Sequence, residues 1–133
     1  MTSVDTNILV RLLTEDDAKQ FQKASALFET KQIFIPYTVL LESEWVLRHA
    51  YDFLPPEILN GFRKLLGLPN VCTANPELIK YAFEWYAGGL DFADALHLAC
   101  SQNCEQLATF DKAFIKKSKG ISHCSVDLPQ TSV

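Results

Sequence analysis

Short apolar runs alternate with longer segments of helical spacing along this chain, and no other feature of the sequence limits the fold as strongly. The short runs, which predict β-strands, lie at 3–5, 33–35, 71–73 and 106–109, and Ile121 predicts a last strand. The segments that predict helices are 8–13, 15–28, 38–51, 55–66, 76–86, 91–99 and a short one that starts at Asp111. This alternation predicts an α/β sandwich with a mainly parallel central sheet.

Length and composition predict one globular domain, residues 1–133. Apolar residues make up 48% and charged residues 21% of the 133 residues, an ordinary balance for a folded protein. The sequence shows neither a secretory signal nor the run of about 18 apolar residues that a membrane-spanning helix needs, so we expect a soluble, cytoplasmic protein. The net charge of -4 argues against a passive nucleic-acid coat, but not against an enzyme that gathers carboxylates around cations.

The four cysteines form no CxxC pair, and we expect them to be reduced and mostly buried. On a continuous helix His97, Cys100 and Cys104 would share one side, which is compatible with a zinc site. A packed apolar face is the favoured interpretation of that spacing.

Acidic residues lie at the ends of two of the predicted strands and open one of the predicted helices. Asp5 ends the first predicted strand and Asp111 falls just after the strand at 106–109, and Asp91 and Asp94 are spaced so that both carboxylates lie on one face of a helical turn. Ligands of parallel sheets sit beyond the carboxyl ends of the strands, so we expect these acids to converge. Carboxylates suit hard cations such as Mg²⁺, which activate water and steady the charge on a phosphate.

These residues also have ordinary structural interpretations. Asp5 is a suitable helix cap, and Asp91 with Asp94 is equally a cap followed by an acid in the first turn, where the helix dipole favours negative charge. Asp111 has the same ambiguity. Like charges at the spacing of Asp91 and Asp94 repel, however, and a cation between them would remove that penalty.

Glu42 is a further candidate on the predicted helix 38–51. Its apolar neighbours predict that it is less simply solvated than Glu44. The alternative is that Glu42 is an ordinary helix glutamate.

Four segments, taken in order, resemble the acidic motifs of PIN-domain proteins. They are VDTNILVR at 4–11, VLLE with WVL at 39–47, DFADALHLA at 91–99 and TFDKAF at 109–114. The resemblance covers nearly the whole chain, and the most similar branch is the VapC toxin subfamily of VapBC toxin–antitoxin pairs. It implies a three-layer α/β/α sandwich and an endoribonuclease.

The resemblance also assigns roles to residues. The catalytic and metal-binding quartet would be Asp5, Glu42, Asp94 and Asp111, with Asp91 close by as an additional ligand or as a holder of water. The residues that would orient waters or carboxylates around the metal are Thr6, Asn7 and Thr109.

Cofactor, partners and mechanism follow from the same resemblance. Mg²⁺ or Mn²⁺ would be the cofactor and RNA, often tRNA or rRNA, the substrate. A metal-activated water would attack the RNA phosphorus in line. The family usually forms homodimers, and a small VapB-like antitoxin wraps the toxin, often with a basic side chain in the acidic pocket.

Two further groups bear on RNA binding. Lys112, Lys116, Lys117 and Lys119 form either a solvated helix face or a patch that steers phosphate. The aromatic residues of segment 81–86 are interpreted as core or interface. His97 is interpreted as a core residue or a support for the acidic residues rather than as a general base.

Three other functions compete with the toxin. One is a PIN-fold module that binds RNA or protein without cleavage, and another is a housekeeping PIN nuclease of RNA maturation. The third is a haloacid dehalogenase-like phosphatase, which needs a second Asp two residues after the first. Asp5 is followed by Thr6 and Asn7, so the sequence argues against that phosphatase.

Overall fold

A computed structural model describes residues 1–130. The chain divides into two compact units, one from Met1 to Pro76 and the other from Glu77 onward.

The first unit carries a three-stranded parallel sheet and four helices. Its elements are β1 (Thr2–Ser3), α1 (Thr6–Thr14), α2 (Ala18–Thr30), β2 (Ile33–Phe34), α3 (Tyr37–Ala50), α4 (Pro55–Leu66) and β3 (Val71–Cys72). The strand order is β1-β2-β3, with Ile33 opposite both Thr2 and Val71. β2 is therefore the central strand, and Ile33 at its start is fully buried.

The second unit has a two-stranded parallel ladder. Its elements are α5 (Pro76–Ala87), which begins at the unit boundary, α6 (Phe92–Cys100), β4 (Gln106–Ala108), α7 (Lys112–Lys117) and β5 (Ser125–Asp127). β4 and β5 pair in parallel with Leu107 opposite Val126. Parallel strands joined through helices confirm the predicted mixed α/β class.

The predicted last strand at Ile121 is wrong. Gly120 has a φ of 75°, in the left-handed region, and the amide of Ile121 donates to the carbonyl of Ser118 in a turn. The strand forms instead at Ser125–Asp127, where only Val126 is buried. A strand with a single buried apolar residue gives almost no hydrophobic signal in the sequence.

The expectation that the cysteines are mostly buried is also wrong. Cys124 is buried, Cys72 is partly exposed, and Cys100 and Cys104 are exposed. α6 ends at Cys100, so Cys104 does not share a helix face with His97, and the predicted packed apolar face does not form there.

The buried side of α3 includes two polar residues among its leucines. Glu44 is only 2% exposed, and its Oε2 accepts from Arg48 Nε at 2.7 Å. The Oγ of Ser43 is buried without a hydrogen-bond partner among residues 1–130. Leu40 and Leu47 are fully buried on the same helix.

The Ser43→Ala variant is expected to be more stable than the wild type. Burial of an unsatisfied hydroxyl costs about 1–3 kcal/mol, and alanine removes that group with little change of shape. We expect the free energy of unfolding, measured by urea denaturation, to rise by about 1 kcal/mol. Ser25→Ala on α2, where the serine is partly exposed, is the control and should change it little. A fall of similar size in Ser43→Ala would contradict the expectation.

None of the described helices is both long enough and apolar enough to cross a membrane.

Candidate functional site

Asp5 stands at the junction of β1 and α1. Val4 is buried, and Asp5, which is exposed, then caps α1 by accepting a hydrogen bond at Oδ1 from the amide of Ile8 at 3.3 Å. Asp5 is thus the N-cap of α1, which is the ordinary structural role that the sequence also allows for it. The carboxylate follows the carboxyl end of a parallel strand, as the sequence predicted.

Thr6 connects the start of α1 to α3. Its side chain is buried, and its Oγ1 donates a hydrogen bond to Oε1 of Glu42. This contact fixes one oxygen of a carboxylate that is otherwise exposed. Asn7 lies exposed in the first turn of α1.

The predicted contrast between Glu42 and Glu44 is reversed in the structure. Glu42 is exposed, whereas Glu44 is buried and paired with Arg48. Exposure leaves Glu42 accessible to a ligand, and its hydrogen bond from Thr6 limits how its carboxylate can turn.

In the second unit, Asp91 and Asp94 begin α6. Asp91 is the N-cap, and its carboxylate accepts from the amide of Asp94 at 3.4 Å. Asp94 lies in the first turn and is half-buried. Burial raises the pKa of the Asp94 carboxyl, and the negative charges of Asp91 and Asp111 raise it further, against smaller opposing effects of His97 and Lys117.

Asp111 is held in a short turn between β4 and α7. Thr109 donates its amide to the carbonyl of Asp127 at 2.9 Å, and its Oγ1 accepts from the amide of Asp111 at 3.0 Å. Asp111 in turn caps α7 by accepting from the amide of Phe114 at 3.1 Å. Thr109 therefore fixes the backbone that presents the Asp111 carboxylate.

Asp94 and Asp111 line one cavity of about 560 Å³ in the second unit. Its polar lining consists of Asp94, His97, Cys100, Ser101, Thr109 and Asp111. Asp91 does not line it, and Asp5 and Glu42 belong to the other unit. His97 is exposed here rather than in the core, and its spacing from Asp94 along α6 is the signal that indicates a shared helix face.

The oxygen-rich part of this lining suits a hard divalent cation. No group of three or more His, Cys, Asp or Glu side chains arranged to hold a metal occurs within residues 1–130. Mg²⁺, however, is commonly held by one or two carboxylates together with waters and substrate phosphate. Asp94 and Asp111 supply two carboxylates, and a cation would offset the charge repulsion that raises the pKa of Asp94.

The lysines of α7 are exposed. Lys112, Lys116 and Lys117 all face solvent. Lys117 is close enough to Asp94 to oppose the rise in the pKa of that carboxyl. The helix thus presents positive charge beside an acidic cavity.

Comparisons with known proteins identify the family of this chain. The family model of the PIN domain matches residues 3–120. Mycobacterium tuberculosis VapC20, described as a toxin that cleaves the sarcin-ricin loop, has a solved structure that is 20% identical to the chain. The match covers 92% of this chain and 98% of that one, with a TM-score of 0.42. A search of curated proteins found no match. The match to the family model includes most of the chain, so the protein belongs to the PIN domain family, and this membership indicates a nuclease.

Proposed function

We propose that this protein is a Mg²⁺- or Mn²⁺-dependent endoribonuclease that acts as the toxin of a type II toxin–antitoxin pair. The observation that carries the proposal is the pair of carboxylates, Asp94 and Asp111, that face one cavity. Residues 1–133 act as a single PIN domain in this proposal, because the family match includes residues of both compact units.

The chain's own residues have separate tasks in the proposed reaction. Asp94 and Asp111 would hold the cation, and Asp5 and Glu42 would be the other two carboxylates of the acidic quartet. Asp91 holds water or acts as a further ligand. A divalent cation, when bound, polarises a water for attack and neutralises charge that develops on the phosphate.

Supporting residues keep these carboxylates in place. The hydroxyl of Thr6 restrains Glu42, and Thr109 fixes the backbone of Asp111. Asn7, exposed beside Asp5, orients water. The exposed ammonium groups of Lys112, Lys116 and Lys117 attract the RNA backbone toward the cavity.

The proposed partners follow from this charge pattern and from the family resemblance. The substrate is RNA, with tRNA or rRNA as the expected class, and the site of action is the cytoplasm. A small VapB-like antitoxin would neutralise the toxin by placing a basic side chain beside the carboxylates. A homodimer is the proposed oligomeric state.

The test is cleavage of total RNA by the purified, antitoxin-free protein with Mg²⁺ or Mn²⁺ and again with a chelator. Asp5→Ala and Asp94→Asn are compared with Glu29→Gln and Glu105→Gln, which remove exposed acids at other positions. We expect cleavage that needs the metal, persists in both controls and disappears in both site variants. Cleavage that survives chelation, or that survives both site variants, would refute the proposal.

A further inference from the structure

Phe110 is an aromatic side chain that the fold holds in solvent. It is 82% exposed, far more than Trp45 at 58% or Tyr81 at 49%. Isolated exposed apolar residues are common on protein surfaces, so exposure alone assigns no role. The surroundings of Phe110 supply the further evidence.

The backbone on both sides of Phe110 is fixed. Thr109 donates to the carbonyl of Asp127, and the amide of Asp111 donates to the hydroxyl of Thr109. Asp111 also caps α7 through the amide of Phe114. Phe110 is therefore presented outward by a hydrogen-bonded turn and does not lie on a frayed end.

Both neighbours of Phe110 line the acidic cavity. Thr109 and Asp111 contribute to its wall, and Asp94 faces the same space. A phosphate held near Asp94 and Asp111 would carry its attached nucleoside within a few ångströms of this turn. An unpaired base there would meet an aromatic side chain that the described residues leave largely exposed.

The nearby charges favour a ligand that is both anionic and aromatic. Lys112, Lys116 and Lys117 follow the turn on α7 and are exposed. Proteins that bind single-stranded nucleic acid commonly combine cationic side chains for the backbone with aromatic side chains for the bases. RNA is read mainly through such unstacked bases.

We infer that Phe110 stacks on an unpaired nucleobase adjacent to the phosphate that is cleaved. This inference rests on the proposed ribonuclease function and makes Phe110 a determinant of where the RNA is cut. Such stacking requires a flat aromatic face, so an aliphatic side chain of similar size does not replace Phe110.

The test uses short single-stranded RNAs that carry 2-aminopurine at successive positions. The fluorescence of this base falls when it stacks on an aromatic ring. The full-length protein carries Asp94→Asn, so that the RNA stays intact during the measurement. Phe110→Ala, Phe110→Leu and Phe110→Trp are compared in this background, with Tyr81→Ala as the control for an exposed aromatic residue elsewhere in the same unit.

We expect quenching at one or two RNA positions that Phe110→Trp retains and that Phe110→Ala and Phe110→Leu lose. Affinity should fall about 5- to 150-fold in Phe110→Ala, the range found when an aromatic residue that stacks on one base is removed. Tyr81→Ala should bind the RNA with the same affinity as the protein that carries Asp94→Asn alone. Quenching and affinity that are unchanged in Phe110→Ala, or that are retained by Phe110→Leu, would overturn the stacking inference.

A separate readout distinguishes this inference from the proposed function. RNA cleavage by the chain with Asp94 intact is measured for the same Phe110 variants. If Phe110→Ala keeps metal-dependent cleavage with the same KM and the same cut positions, the stacking inference is refuted and the proposed nuclease function is retained. If quenching depends on Phe110 but the wild type cleaves no RNA, the proposed nuclease function is refuted and the stacking inference is retained.

Discussion

Asp94→Asn should abolish RNA cleavage and at the same time raise the melting temperature of the metal-free protein. The Asp94 carboxylate is half-buried, and its ionised form is disfavoured by burial and by the charges of Asp91 and Asp111. Asparagine keeps the shape and removes that charge. Relief of one like-charge contact stabilises the folded state by about 0.2–0.5 kcal/mol, so we expect the melting temperature to rise by about 1–3 °C.

The effect of Asp94→Asn on RNA cleavage should be far larger than its effect on stability. Loss of a residue that merely supports a metal ligand typically costs about 10- to 100-fold, and the loss of a ligand should cost at least as much. Mg²⁺ should raise the melting temperature of the wild type and leave that of Asp94→Asn unchanged, because a ligand stabilises only a protein that binds it. Glu105→Gln is the matched control and should behave as the wild type in both measurements.

The stability gain of Asp94→Asn should depend on pH in a defined direction. The folded state raises the pKa of Asp94 above its ordinary value of 3.8, so the folded protein binds this proton more tightly than the unfolded chain does. The wild type therefore loses stability as the pH rises from 3.8 through the raised pKa. The difference in stability between Asp94→Asn and the wild type should be largest at neutral pH and should shrink on acidification. If Asp94→Asn melts at a lower temperature than the wild type at neutral pH, this prediction is wrong.

Thr6→Val should reduce cleavage by about 10- to 100-fold while the protein stays folded. Valine has nearly the shape of threonine, but it removes the hydroxyl that donates to Glu42. Residues that orient metal-binding carboxylates typically contribute effects of this size to metal affinity or activity. Glu42 is exposed, so the loss of the hydrogen bond should cost about 1 kcal/mol of folding stability or less.

Two variants isolate the role of this hydroxyl. Thr6→Ser restores the donor and should recover most of the activity. Thr30→Val removes a threonine hydroxyl that donates to the carbonyl of Ala26 on α2, and it should cleave like the wild type. Equal activity in Thr6→Val and the wild type would show that Glu42 does not need this contact.

Residues at the ends of elements made most of the fold predictable from the sequence. Pro55 and Pro76 each begin a helix at the predicted position, and Asp91 and Asp111 each cap one. These residues act locally, through a fixed φ or a single side-chain hydrogen bond, so the sequence alone indicates their effect.

Tertiary contacts were less predictable, and α3 shows why. Its buried stripe runs through Leu40, Ser43, Glu44 and Leu47 at helical spacing, but two members are polar. Hydropathy therefore placed Glu44 in solvent and Glu42 nearer the interior, the reverse of the structure. The pairing of Glu44 with Arg48 offsets part of the cost of burying this carboxylate.

The exposure of individual side chains at the candidate site was likewise not predictable. The sequence indicated Asp94 and Asp111 as acidic residues near helix starts, and the structure places both on one cavity. The accessibility of His97 depends on how α6 packs, and the outward position of Phe110 depends on the hydrogen bonds of the turn before α7, so neither follows from hydropathy.

A calorimetric titration with Mn²⁺ measures whether the acidic residues of the candidate site bind a divalent cation, as the proposed RNA cleavage by this protein requires. The wild type is compared with Asp5→Asn, Asp94→Asn, Glu29→Gln and Glu105→Gln. We expect binding to the wild type and to both controls, with a loss of at least about 10-fold in affinity in each of the two aspartate variants. Mn²⁺ affinity that is unchanged in Asp94→Asn, or reduced equally in Glu105→Gln, would show that the cation does not bind at these aspartates.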